Sequence, residues 1–497
     1  MKVKALSLTL LACILMTIFI SCAADTSESG TGNAVTTTAN ASGDETVGET
    51  TAEETKPITY LDANLPETDL DGYTFAMLSA PHDNYPWRYV DVDEINGEPL
   101  NDAVYERNEK IETAFNVKID VMVSTAVGSD LPKMVRAGDD VYDLVYASLG
   151  DLLNFSQNQL LADMNMVPYV DLEREWWDQS IIRDLTVADK LFYLTGAISP
   201  MANIRTFSLV FNKDLCTELG LDLPYKYVLD GTWTMDMFAQ YAQGVNRDLN
   251  GDGAMNYEDL WGYFSQYGNS YMMYIAGGGR IAKPDDNGIP QIMLDNPKDL
   301  DIIMKALAIS SDPEVTLMAD PYVSGQGGSW MAASSWFASG GSLLRSSVFE
   351  PVPRDYRSME TDFGILPYPK YDEHQESYYS LTESSAYVFG VPASVVDLDP
   401  TGLIFEALAA ESVSTVATAF YDVCLNGKYI RDNESEAMID LIFNNKVFDI
   451  GFLLDIGGYN GAIKSLEQTQ STDVVSKYES IMNAAQTKID KYVEAVS

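Results

Sequence analysis

Between Tyr73 and Tyr146 short apolar runs alternate with one long amphipathic stretch, and that alternation restricts what the chain can fold into. Tyr73–Leu78 (Tyr-Thr-Phe-Ala-Met-Leu) is too short for a helix and reads as a buried strand. Asn101–Phe115 has helical spacing: Val104, Ile111, Ala114 and Phe115 share a face, and Asn101 or Asp102 stands where a cap is needed. Val117–Val123 is a strand with one face more buried, and Tyr142–Tyr146 is another strand. Strand, helix, strand, helix, strand is the pattern of an α/β fold with a mostly parallel sheet. In open sheets of this kind ligands sit beyond the carboxyl ends of the strands. Ser79–Trp87 and Ala147–Gly150 follow two such ends.

The start of the chain is of another kind. Lys2 and Lys4 precede an apolar run from Ala5 to Ile20, which reads as a secretory signal over residues 1–21. The run ends Phe19-Ile20-Ser21-Cys22, similar to a lipoprotein cleavage site, and Cys22 is the expected acylated residue. Cys13 matches letter by letter, but it would leave too short an apolar core. Residues 22–59 hold Thr, Ser, Gly, Ala, Asp and Glu with no aromatic before Thr59, and cannot offset the entropy of ordering. They are expected to be a disordered tether between a lipid anchor and a body. No later segment reads as a membrane span.

The formal charge is -43, from 31 Lys+Arg against 74 Asp+Glu. Removing residues 1–21 takes away Lys2 and Lys4 and no acid, so the mature charge is -45. Such a surface repels nucleic acid and anionic lipid. Four cysteines make no disulfide framework, and Cys216 and Cys424 read as lone buried thiols. With only His82 and His374, there is little material for a histidine-based catalytic or zinc site.

Asp248–Asp259 carries the sharpest local chemistry. Asp248, Asn250, Asp252, Asn256 and Asp259 place oxygens at positions 1, 3, 5, 9 and 12 of a loop, Gly253 stands at position 6, and Ala254 offers its carbonyl at position 7. That is the spacing of an EF-hand-type calcium loop, which wraps six to eight oxygens around one hard cation. Position 12 is Asp259 rather than the longer bidentate Glu. A structural Ca2+ is expected, against the plainer alternative of an acidic surface turn.

Further along, Tyr142-Asp-Leu-Val, Leu160-Leu-Ala-Asp163 and Leu209-Val-Phe-Asn-Lys-Asp-Leu215 occur in order. Gly231-Thr-Trp-Thr-Met-Asp-Met-Phe238 follows, then Phe337-Ala-Ser-Gly-Gly-Ser-Leu-Leu344 and Asp362-Phe-Gly-Ile-Leu-Pro-Tyr-Pro-Lys370. In this order the stretches resemble the extracellular solute-binding proteins of ABC importers, closest to the maltose-binding-like carbohydrate-binding family. The resemblance spans roughly Tyr73 to Val496. It implies a two-lobed α/β body of the periplasmic-binding-protein type, with lobe one at about 60–189 plus 384–426 and lobe two at about 190–383 plus 427–497. It also implies a ligand in the interlobe cleft, hinge closure around it, and a calcium loop of the kind some members carry on the second lobe.

The expected activity is binding without catalysis: capture of a carbohydrate, an oligosaccharide in the main reading, and its delivery to ABC permease subunits. The protein would act as a monomer, lipid-anchored on the outer face of the cell membrane. Sugars present flat C–H faces and hydroxyls, so candidate contacts are Tyr85, Trp87, Ser148, Tyr267 and Tyr271 at strand ends, with Trp336 and Phe349 near the family's aromatic-platform region. For any one aromatic the alternative is core packing, as expected for Trp176 and Trp233. Two other functions compete. A secreted glycoside hydrolase would need a carboxyl pair flanking a cleft, and no motif nominates one. A calcium-stabilised surface adhesin shares the composition but not the two-lobed body.

Overall fold

The computed structural model describes residues 56–81, 85–324, 328–351, 356, 359–426 and 433–497. Cys13, Cys22, the signal, the tether up to Thr55, His82 and the Cys424 side chain lie outside the described residues. Nine strands build two sheets: β1 Tyr73–Ser79, β2 Val117–Val123, β3 Leu144–Ser148, β4 Phe207–Asn212, β5 Trp261–Ser265, β6 Thr316–Met318, β7 Ser342–Val348, β8 Phe363–Leu366 and β9 Tyr387–Gly390.

Sheet one has the order β9-β3-β1-β2. β1 runs parallel to both neighbours, with Tyr73 opposite Val117 and Met77 opposite Leu144. β9 is antiparallel to β3, with Tyr387 opposite Ser148. The helix between β1 and β2 is Pro99–Phe115, two residues longer than expected at its start. Neither Asn101 nor Asp102 caps it: Glu98 accepts from the Asn101 backbone N–H at 2.8 Å. Asp102 instead holds the entry loop through the N–H groups of Asn96 and Gly97. Pro99 at the first helical position has no N–H to leave unpaired. Val104, Ile111 and Phe115 face the core as read, while Ala114 is exposed. β2 buries Val117 and Ile119 and exposes Lys118 and Asp120, the one-sided burial expected.

Sheet two has the order β8-β4-β7-β5-β6. β5 is parallel to β6 and β7, while β4 is antiparallel to β7 and β8. Gly262 in β5 marks a close approach: a Cβ there would lie 2.1 Å from the Ala242 carbonyl oxygen. The chain leaves sheet one after β3, builds sheet two and returns as β9, and bridges such as Leu194–Phe389 and Thr206–Thr382 tie the crossing segments together.

After β9 the helix Leu398–Ser412 packs under sheet one. It continues through a π-turn to Val423, and its most apolar stretch has a mean hydropathy of 1.4. By length and composition this helix could cross a bilayer, which corrects the sequence reading; 67% of that stretch is buried in the protein core. Its Glu406 is buried and accepts both indole N–H groups of Trp176 and Trp177, at 3.1 and 3.0 Å. Burial pushes the Glu406 carboxyl up to about 7. Trp233 is fully buried and donates to the Pro367 carbonyl, and Cys216 is a buried free thiol. The last helix, Val474–Val496, reaches back so that the Tyr193 and Tyr492 hydroxyls meet at 2.6 Å.

Candidate functional site

The carboxyl ends of the two sheets supply the loops that matter. Sheet one gives the Tyr85–Tyr89 stretch after β1 and Ser148 after β3. Sheet two gives Gln266–Asn269 after β5 and Phe349–Glu350 after β7, beside the start of β4, where Phe207 pairs with Val348. The return segment Glu383–Ala386 joins them: Gly150 N–H donates to the Ser384 carbonyl at 2.9 Å, and Glu383 N–H to the Arg205 carbonyl at 3.1 Å.

A charged cluster forms where these pieces meet. Arg205 pairs with Glu350 at 2.7 Å and with Glu383 at 3.3 Å, and Ser385 donates to Glu383 at 2.5 Å. One guanidinium thus serves two carboxylates, and burial pushes the Glu383 carboxyl up from its ordinary value. From the sheet-one side Arg88 lies 4.8 Å from the Tyr85 ring centre and 4.3 Å from that of Tyr387. The Tyr85 hydroxyl feels Glu350 and Arg205; burial and then Glu350 raise its pKa.

Next to this cluster, and sharing Glu383 with it, is a cavity of about 210 Å3. Phe207, Tyr267 and Phe452 supply rings, Gln266, Asn269 and Asn460 supply amides, and Lys464 supplies a cation. Four buried side-chain atoms without a hydrogen-bond partner lie at the two features: Arg88 Nε, Arg205 Nε, Gln266 Oε1 and the Tyr271 hydroxyl. A buried polar atom left unpaired costs about 1–3 kcal/mol, so a hydroxyl entering here would relieve that cost.

The loop that lines the cavity is held by two carboxylates. Asp320 accepts from Tyr267 N–H at 2.7 Å. Glu467, on the helix Tyr459–Thr469, accepts from the Gly268 and Ser270 N–H groups and from the Ser270 hydroxyl. Glu467 is buried, which pushes it up to about 7 against the lowering effect of those hydrogen bonds.

The expected contact residues are only partly brought together. Tyr85 and Tyr267 stand at the site. Tyr271 reaches the cavity but is 2% exposed, stacked on Phe452 at 4.6 Å. Ser148 caps the helix after β3 and donates to Asp151 at 2.6 Å. Two aromatics need correcting. Trp87 is 8% exposed and stands edge-on to Phe420 at 5.8 Å; Phe349 is fully buried against Phe443 and Phe420. Both are packing residues here, because the helix after β9 covers them, and neither presents a face. Trp336 lies elsewhere, on the helix Gly328–Ala338 against Tyr257. Sequence reasoning missed Arg88, Arg205, Glu350, Glu383 and Tyr387. It could have found Gln266 and Asn269, which follow a strand in an amide-rich loop.

The Asp248–Asp259 loop has the turn geometry of its motif: Gly251 and Gly253 take φ of 75° and 80°. Asp248 accepts from the Gly251 and Gly253 N–H groups, Asn250 from Asp252, and Asp252 from Ala254. Asp259 is fully buried and accepts from Leu249 and Asn256 N–H. Each carboxylate oxygen keeps a further lone pair, so this donor set suits a hard cation. Among the described residues no three His, Cys, Asp or Glu side chains are grouped to hold a metal. A cation here would therefore need the Asn250 and Asn256 amides and the Ala254 carbonyl as well, and the Ala254 carbonyl now accepts from Asn256.

No protein-family model and no curated protein matches the chain. Solved structures do. The ABC substrate-binding protein Lmo0181 from Listeria monocytogenes, in complex with cycloalternan, shares 15% identity at a TM-score of 0.51, covering 84% of this chain and 99% of that one. A cyclo/maltodextrin-binding protein complexed with maltotetraose shares 16% at 0.55, covering 85% and 99%. The apo-form of RafE from Streptococcus pneumoniae shares 14% at 0.50, covering 86% and 99%. The chain has the two-lobed substrate-binding-protein fold. The Arg205 cluster lies where strand ends of the two sheets meet.

Proposed function

We propose that this chain is the substrate-binding component of an ABC importer and captures a carbohydrate between its lobes. The observation that carries the reading is the cluster of Arg88, Arg205, Glu350 and Glu383 with the adjoining ring-and-amide cavity, where buried polar atoms lack partners. A sugar hydroxyl both donates and accepts. Carboxylates and Gln266 Oε1 take its proton side, guanidinium and amide N–H groups its lone pairs, and tyrosine rings its C–H face. The same fold holds cycloalternan and maltotetraose in the solved structures named above, which supports an oligosaccharide here.

Binding without turnover fits Glu350 and Glu383, which converge on one arginine instead of standing apart as acid and nucleophile. The lobes would divide near residues 189, 383 and 426. The protein would be held outside the cell by an acylated Cys22 and the 22–59 tether, act as a monomer, and pass its sugar to a permease. Ca2+ at Asp248–Asp259 would be structural.

Calorimetry with maltotetraose and a panel of neutral oligosaccharides tests the reading. Binding at 1:1 that falls at least tenfold in Arg205→Ala supports it. Hydrolysis of any bound sugar, or binding unaffected by Arg205→Ala, refutes it.

A further inference from the structure

From Pro321 to Leu344 the chain has no charged residue. At 21% charged residues overall, 24 positions would carry about five. Nearly half of this stretch is the helix Gly328–Ala338, which covers one face of sheet two with Ala333, Ser334 and Phe337 turned inward. Its outer side carries no charge: Met331 is 61% exposed, Ser335 is exposed and Trp336 is half-buried. A surface helix normally turns charges outward.

Three rings meet on this flank. Tyr257 stacks on Trp336, centres 4.8 Å apart and planes at 16°. Tyr322 stands edge-on to both, at 5.5 Å and 70° to Tyr257 and at 6.4 Å and 84° to Trp336. Tyr257 is 39% and Tyr322 41% exposed. Phe264 of β5 supports Trp336 from below. The backbone under Tyr257 is fixed, since Asn256 N–H donates to Asp259 and the Asn256 carbonyl accepts from the Trp261 indole at 2.7 Å. The surface is therefore a preformed floor and wall of rings. It is distinct from the cavity: none of the three rings lines it, although Asp320, two residues before Tyr322, holds the Tyr267 N–H of the cavity loop.

We propose that Tyr257, Tyr322 and Trp336 form a second carbohydrate surface outside the cleft, which takes a stretch of neutral polysaccharide. A flat ring with a perpendicular neighbour accepts the C–H face of a pyranose and bounds its edge, and exposed Glu258 and Ser335, next to Tyr257 and Trp336 in the chain, can meet hydroxyls. A neutral ligand suits the longest uncharged stretch of a chain at -43. A second copy of this chain does not, because pairing would bring two such charges together. The inference shares only its ligand class with the cleft reading, so each can fail alone.

The test is affinity electrophoresis of the full chain through native gels containing amylopectin, galactomannan or xyloglucan. At least one polymer should retard the parent. Tyr257→Ala and Tyr322→Ala should each weaken that retardation at least fivefold, Tyr257→Phe should keep it, and Arg205→Ala should leave it unchanged while weakening oligosaccharide binding at least tenfold in the calorimeter. Absence of retardation in all three gels overturns the proposal. So does equal retardation of parent, Tyr257→Ala and Tyr322→Ala, or a loss seen only in Arg205→Ala. Concentration-dependent self-association relieved by Met331→Asp would also overturn it, assigning the flank to protein contact.

Discussion

Raising the pH from 5 to 8 should destabilise this protein, although it is acidic throughout. Three carboxyls are buried and protonate far above their ordinary values: Glu406 and Glu467 rise from 4.5 to about 7, and Asp449 from 3.8 to about 6. Burial is the largest cause in each case. Asp449 is fully enclosed and accepts from Ile281 and Phe452 N–H. Between roughly pH 4.5 and 7 the folded state keeps protons that the unfolded chain has released, so stability falls as pH rises through that window. At 1.36 kcal/mol for each pH decade between the two pKa values, each group sets an upper bound of roughly 3 kcal/mol. Local relaxation and water entry reduce this, and about 3 kcal/mol in total is the expected loss. Carboxyls held below their ordinary value by hydrogen bonds, such as Asp69 and Asp248, are already ionised above pH 5 and do not oppose it. Urea unfolding at pH 5, 6, 7 and 8, followed by tryptophan fluorescence, measures the loss, since Trp176 and Trp177 sit on Glu406. Glu406→Gln should flatten the dependence by about a third. Stability that is flat or increases from pH 5 to 8 would show that these carboxyls are solvated, and the reasoning would fail.

Trp87→Ala should cost about 3–5 kcal/mol of stability, as large buried aromatics do, because its ring packs on Phe420; a midpoint equal to the parent's in urea would return Trp87 to the role of exposed platform. Glu467→Ala should release the Gly268–Ser270 loop and weaken oligosaccharide binding at least tenfold while β5 stays folded, checked by calorimetry beside a thermal melt. If the Asp248–Asp259 loop takes calcium, the ion at 100-fold excess over its Kd should add about 2.7 kcal/mol. Asp248→Ala should abolish that gain, and a melt indifferent to chelator would reject the site.

The first sheet was legible because its signals are local: apolar alternation in β1 and β2, and one amphipathic helix between them. The helix start was misplaced because Glu98, not a residue usually preferred as a cap, took that role. The tight turns of Asp248–Asp259 were legible for the same reason, since their glycines and acceptor side chains lie inside one short stretch. The charged cluster was not. Arg88, Arg205, Glu350 and Glu383 come from four separate segments: the pairing of β4 with β7 brings Arg205 to Glu350, and the return of β9 to sheet one adds Glu383. Trp87 misled because a tryptophan in a polar loop looks exposed until Phe420, from a distant helix, is seen to cover it. Single aromatics carry no sign of which face is free; pairs such as Tyr257 and Trp336 show it only once folded.

The return of the chain to its own beginning has a consequence for the order in which the molecule can be made. β3 waits for β9 to complete sheet one, Trp176 and Trp177 wait for Glu406, and Tyr193 waits for Tyr492, 299 residues later. A chain emerging from its amino end has none of these partners until most of it has appeared. Contacts of such long sequence separation slow folding. If the chain is exported as an open thread before it folds, that delay is useful: the last helix acts as the closing stitch, and until it arrives the body stays loose enough to be moved.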